Sequence, residues 1–132
     1  MPATAHLNIA ITDRNPHVRE FLCRELADLG HTACVLTSPV ALLETLCGPR
    51  LPQVLVLDPE AAGASLAEVA RRLKGCAGQV VVVLHVFEGV EPEQEFAGAL
   101  VVEKQPDMRA LKTALASLAE QLARLSAAGE RG

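Results

Sequence analysis

Gln53-Val54-Leu55-Val56-Leu57-Asp58-Pro59-Glu60 decides how the rest of the chain is read. Four apolar residues in a row end abruptly in an acid and a proline. A short apolar run closed by a turn signal marks a strand buried on both faces. Asp58 then stands where that strand leaves the sheet. In an open α/β sheet, ligands bind in the crevice beyond the carboxyl ends of the strands. Asp58 is therefore the first candidate functional residue, and the other strands are read for what they bring to it.

Strand–helix units flank this stretch on both sides. Leu7 to Thr12 is apolar enough for a first strand and ends in Asp13-Arg14-Asn15-Pro16. Asn15 is a good N-cap, and Pro16 suits the first helical position. Val18, Phe21, Leu22, Leu26 and Leu29 follow at helical spacing, with Gly30 as the stop. Thr32 to Thr37 reads as a second strand. Ser38-Pro39 repeats the cap-and-proline device before a stripe of Val40, Leu43, Leu46 and Cys47. After Glu60 a small-residue loop, 61–64, leads to Ser65 and Glu68, spaced as a capping box. Leu66, Val69, Ala70 and Leu73 supply the buried face of that third helix. Gln79 to His85 is the strongest strand signal in the chain, β-branched or apolar from Val80 to Leu84. Pro92 is placed to open a short helix carrying Phe96. Ala99 to Glu103 is a fifth strand, followed by Lys104. Asp107 caps a long helix whose inner face carries Met108, Leu111, Leu115, Leu118, Leu122 and Leu125. Five strand–helix repeats with continuous apolar strands imply a parallel, doubly wound α/β sheet covered by helices on both faces. Residues 1–6 read as an N-terminal tail, 7–125 as one domain, and 126–132 as a C-terminal tail or the start of a linker.

Composition excludes several function classes. At 132 residues the chain is one domain with a real core, and half its residues are apolar. A net charge of −4 argues against general nucleic-acid binding. Tyr and Trp are absent and Phe occurs only at 21, 87 and 96, which leaves no base-stacking surface. No apolar run is long enough to span a membrane, and the start has no signal-peptide pattern. Cys23, Cys34, Cys47 and Cys76 have no zinc-ligand or redox-motif spacing, so they read as small buried hydrophobes in a reducing cytoplasm.

The polar candidates all fall at the same ends of their strands. Asp13 and Arg14 follow the first, Asp58 and Glu60 the third, His85 the fourth and Lys104 the fifth. Parallel strands put these ends on one edge. Two neighbouring acids repel unless a cation joins them. Lys104 can supply that cation, and so can Mg²⁺, which takes few protein ligands and keeps several waters. A carboxylate held beside such cations can accept a phosphoryl group.

This set, in order and on these elements, resembles the CheY-like receiver domain of response regulators from Leu7 to about Leu125. The resemblance implies a flavodoxin-like five-stranded sheet of order 2-1-3-4-5. It implies phosphorylation on Asp58, with Lys104 contacting the phosphoryl group and His85 standing where a Thr or Ser usually does. It implies Mg²⁺ held by Asp13 and Asp58, with Glu60 at a position that gives the metal its backbone carbonyl. The partners implied are a sensor histidine kinase or phosphotransfer protein upstream and an effector protein downstream, with a weak homodimer as a further possibility. Such a chain is not an enzyme, binds no nucleic acid itself, and signals by protein contact in the cytoplasm.

The departures from the family pattern are equally specific. Arg14 stands where the second acid of the first strand, the principal metal ligand, belongs. A guanidinium there would pair with the carboxylates directly and remove much of the reason for Mg²⁺ to bind. The loop after Asp58 lacks the usual turn residues, and the stretch from His85 to Lys104 is too short for a full fourth helix. Two readings stay open from the sequence: a phosphorelay receiver using Asp58, and an atypical receiver that is not phosphorylated and serves as a partner-binding module.

Overall fold

The computed structural model describes residues 6–76, 78–91, 94–96 and 98–130, with side chains to Leu125. β1 (Asn8–Ile11), β2 (Thr32–Val35), β3 (Val54–Leu57), β4 (Val81–Val86) and β5 (Leu100–Glu103) form one parallel sheet in the order β2-β1-β3-β4-β5. This is the flavodoxin-like order, and its winding reverses between β1 and β3. At that switch the carboxyl ends of two neighbouring strands diverge and open a crevice. The central register sets Ile11 beside Val56 and Leu57 beside Leu84. Asp13 and Asp58 therefore leave the sheet at the same level.

Helices cover both faces, as continuous apolar strands require. All four residues of β3 are buried. On one face α1 (Pro16–Asp28) and α5 (Arg109–Glu130) bury Leu22, Leu26, Leu111, Leu115 and Ala119 against Ile9, Ile11, Val54 and Val56. On the other, α2 (Pro39–Cys47) and α4 (Leu66–Gly75) bury Leu42, Leu46, Val69 and Ala70 against Ala10, Leu55, Leu57 and Leu84. Between β3 and α4 the chain makes a single helical turn, α3 (Pro59–Ala62), and then a 3-10 turn, Gly63–Ser65.

The caps decide where the helices start. Asn15 accepts the His17 amide at 2.9 Å and Ser38 accepts the Ala41 amide at 3.1 Å, each followed by proline at the first helical position. The capping box expected at Ser65 and Glu68 does not form. Ser65 sits inside the 3-10 turn and makes no side-chain cap, while Glu68 pairs with Arg71 and Arg72 on the exposed surface. The expected loop 61–64 is helical for the same reason: Asp58 caps α3 immediately after the strand. The apolar stripe of α2 is centred one residue from its expected position, on Leu42 and Leu46, and leaves Val40 exposed. Of the four cysteines only Cys76 is buried, while Cys34 and Cys47 are exposed.

The β4–β5 crossover carries no α-helix among the described residues. It holds a 3-10 turn, Gln94–Phe96, whose Phe96 is buried in the core on the face covered by α2 and α4. Pro92, expected to open a helix here, lies outside the described residues, as do Met1–Ala5, Arg131 and Gly132. At the far end α5 continues through Glu130, into the stretch expected as tail. Leu125, expected on its inner face, is 68% exposed.

Candidate functional site

Asp13 and Asp58 are the buried acids of the sheet edge, 4% and 2% exposed. Each uses one carboxylate oxygen to shape its own loop. Asp13 Oδ1 accepts the Asn15 amide at 2.9 Å, and Asp58 Oδ1 accepts the Glu60 amide at 3.1 Å. The second oxygens both face Lys104. Lys104 Nζ lies 3.1 Å from Asp58 Oδ2 and 3.2 Å from Asp13 Oδ2. Only the bond to Asp58 is well directed, so Asp13 Oδ2 is left without a hydrogen-bond donor although it is buried. An anionic oxygen in that state is held by the charge of the ammonium rather than by a bond.

Lys104 is fixed from its backbone outward. Its amide donates to the Val86 carbonyl at 2.6 Å, which continues the β4–β5 pairing one step past the strand. Its ammonium also lies 4.7 Å from the centroid of the Phe87 ring, a cation–π contact that holds the side chain over the acids. The loop after Lys104 re-enters α5 through Asp107, whose Oδ1 accepts the Arg109 amide at 3.1 Å. Met108 between them has φ of 56°, a strained conformation for a long side chain.

Arg14 and Glu60 form the outer rim. Arg14 Nη2 donates to Glu60 Oε2, and Arg14 Nε lies 3.9 Å from Asp58 Oδ2. The Arg14 side chain is 56% exposed, so the guanidinium faces the site on one side and solvent on the other. The Glu60 carboxylate turns to Arg14. Three carboxylates and two cations therefore meet here.

His85 stands one residue beyond Leu84, the partner of Leu57, which puts it beside Asp58 in the sheet. It is 1% exposed, and neither ring nitrogen has a partner among the described residues. Burial, and secondarily the charge of Lys104, lower its pKa from 6.5 against the opposing pull of Asp13 and Asp58. The ring is neutral at pH 7. Such an imidazole has one N–H to give to an anion that enters beside it.

Mg²⁺ does not fit these residues as they stand. A divalent ion held by Asp13, Asp58 and the Glu60 backbone carbonyl would need a place free of cations. The guanidinium lies between Asp58 and Glu60, and no group of three or more acid, His or Cys side chains is arranged to hold a metal among the described residues. The open side of the site is a cleft of about 570 Å³ between the loops after β1 and β5, with Asn15, Val18, Phe87 and Pro106 in its walls. Two participants were not singled out from the sequence. Phe87 is one. Thr12 is the other, and its only signal is a hydroxyl immediately before Asp13 on a strand otherwise apolar at that end.

No protein-family model matches this sequence, and no curated relative matches it. Solved structures do match its fold. The response regulator TrrA of Thermotoga maritima, in complex with Mg²⁺ and BeF, superposes with a TM-score of 0.70 at 22% identity over 83% of this chain and 96% of that one. TrrA in complex with the histidine kinase ThkA gives 0.67 at 24% identity, covering 83% and 96%. A CheY-like receiver domain protein of Methanospirillum hungatei gives 0.71 at 16% identity, covering 88% and 95%. The chain has the CheY-like receiver fold.

Proposed function

We propose that this chain is a signalling receiver that takes a phosphoryl group on Asp58 and reports its state by protein contact. The observation that carries the reading is the Lys104 ammonium, held between the two buried carboxylates at 3.1 and 3.2 Å. Asp58 Oδ2 is the attacking oxygen. Its bond to phosphorus forms as the bond from phosphorus to the donor nitrogen breaks, and the electron pair leaves with that nitrogen. Lys104 stays with the phosphoryl oxygens and offsets the charge spread over them. The neutral His85 ring donates one N–H to the same group. A histidine kinase or phosphotransfer protein is the fitting donor, since TrrA, which shares this fold, is found in complex with a histidine kinase. No helix among the described residues is long and apolar enough to cross a membrane, and a cytoplasmic setting suits such a donor.

Incubation with a small-molecule phosphodonor or a purified histidine kinase, followed by intact mass, tests the reading. One phosphoryl group is expected on the wild type and none on Asp58→Asn. A wild type that never gains mass, with either donor, would overturn it. The second reading, an unphosphorylated partner-binding module, is favoured by one observation: the Arg14–Glu60 pair closes the rim over Asp58.

A further inference from the structure

We infer that Arg14 takes the place of the divalent cation, so that Asp58 accepts phosphate in the absence of metal. This rests on Asp58 being the acceptor. A phosphoryl donor brings negative charge to a carboxylate that is itself negative. That approach needs a positive charge on the open side of the acceptor, in addition to the lysine beneath it. In the neighbouring TrrA structure the fluoride mimic is accompanied by Mg²⁺. Here a guanidinium already stands on that side. Its Nε is 3.9 Å from Asp58 Oδ2, its Nη2 is bonded to Glu60, and its Nη1 makes no hydrogen bond among the described residues. Arginine presents its donors as a planar fork that matches two phosphate oxygens, and it stays protonated at any working pH.

Glu60 is the positioning residue for this cation. The Glu60 amide is tied to Asp58 Oδ1 in the first turn of α3, so backbone geometry fixes where its carboxylate starts. That carboxylate holds the guanidinium over Asp58 until an anion competes for it. The same arrangement works against Mg²⁺. A divalent ion would have to displace a charge of its own sign from the neighbourhood of Asp58. Arg14 is exposed enough to move with little loss of packing, so its substitutions act on the site and not on the core.

Phosphoramidate is the probe, because its transfer is balanced without any co-reactant. The Asp58 oxygen–phosphorus bond forms, the phosphorus–nitrogen bond breaks, and the nitrogen leaves with the electron pair as ammonia. Intact mass is followed in EDTA and in Mg²⁺ for the wild type, Arg14→Gln and Asp58→Asn. The wild type is expected to gain one phosphoryl group in EDTA at a rate that Mg²⁺ changes by no more than about twofold, and Arg14→Gln to lose about tenfold of that metal-free rate. In parallel, the amide spectra of the wild type and Arg14→Asp are titrated with Mg²⁺ alone. Asp58 and Glu60 amides are expected to stay in place in the wild type and to shift saturably in Arg14→Asp. Phosphorylation of the wild type only when Mg²⁺ is present would overturn the inference and leave Asp58 as the acceptor. No phosphorylation under either condition would overturn the acceptor itself. Saturable Mg²⁺ shifts at Asp58 in the wild type would overturn the replacement of the metal, whatever the mass data show.

Discussion

The Asp58 amide donates to Thr12 Oγ1 at 3.0 Å, and that hydroxyl donates onward to the Val56 carbonyl at 3.2 Å. The Thr12 amide reaches the same carbonyl at 3.0 Å. One buried hydroxyl thus stitches the two loops that carry Asp13 and Asp58, just where β1 and β3 begin to part. Thr12→Val keeps the shape and removes the hydroxyl, leaving a buried amide without a partner. The expected loss is about 1–3 kcal/mol of unfolding free energy, read from urea midpoints. Thr12→Ser is expected to retain most of the stability. Equal midpoints for Val and wild type would show that the stitch contributes nothing.

Lys104 pairs with both carboxylates, and its replacement removes a nearly buried charge from between them. Lys104→Met is expected to destabilise by about 1–3 kcal/mol and to slow phosphoryl uptake at least tenfold, the latter being about the cost of one lost electrostatic donor at the low end. Lys104→Arg is expected not to rescue uptake, because a planar fork cannot sit as a point charge between two converging oxygens. Wild-type uptake rates in Lys104→Arg would remove the geometric part of the argument.

His85 gives stability a pH dependence of known sign. Its folded pKa lies below 6.5 because burial and Lys104 oppose the charged ring. Below pH 6.5 the unfolded chain gains a proton that the folded chain refuses, so stability is complete above that value and falls as pH drops toward the folded pKa. His31, lowered by burial and by His6, adds to the same slope. Asp13, Asp58 and Lys104 face His85 and modulate where its folded pKa falls. Urea midpoints of wild type and His85→Leu at pH 7.5 and pH 5.5 check this, and the variant is expected to lose less on acidification. An identical acid loss in both would place the slope elsewhere.

Leu115 is fully buried under the sheet, while Leu125 is 68% exposed on the same helix. Leu115→Ala is expected to cost about 2–5 kcal/mol. Leu125→Ala is expected to change monomer stability by less than about 0.5 kcal/mol. A large thermal shift for Leu125→Ala that grows with protein concentration would instead mark an association surface.

Much of the fold is legible because its signals are local. Asn15-Pro16 and Ser38-Pro39 carry cap and first-turn proline in adjacent positions, and both helices start there. The apolar runs of β3 and β4 are long enough to demand cover on both faces. The capping box at Ser65 and Glu68 misleads because Asp58 nucleates a turn earlier, and the chain reaches Ser65 already wound. Exposed Cys34 and Cys47 escape composition-based reasoning, since β2 is an edge strand and Cys47 lies at the open end of α2.

The parallel sheet and the residues that reach its carboxyl edge can be read from the chain alone, because the strand–helix alternation and the apolar runs are local patterns. The same patterns place Asp13, Asp58, Lys104, His85 and Arg14 at that edge. What these groups do to one another depends on how the strands are registered and how the loops fold over them. The β1–β3 register brings Asp13 and Asp58 level, the β4–β5 pairing delivers Lys104 between them, and α3 turns Glu60 toward Arg14. Charge interactions fall off with distance, so a string of residues cannot state whether an arginine faces a carboxylate or the solvent. In this fold Arg14 does both, bonded to Glu60 and within 3.9 Å of Asp58 with half its surface still in water.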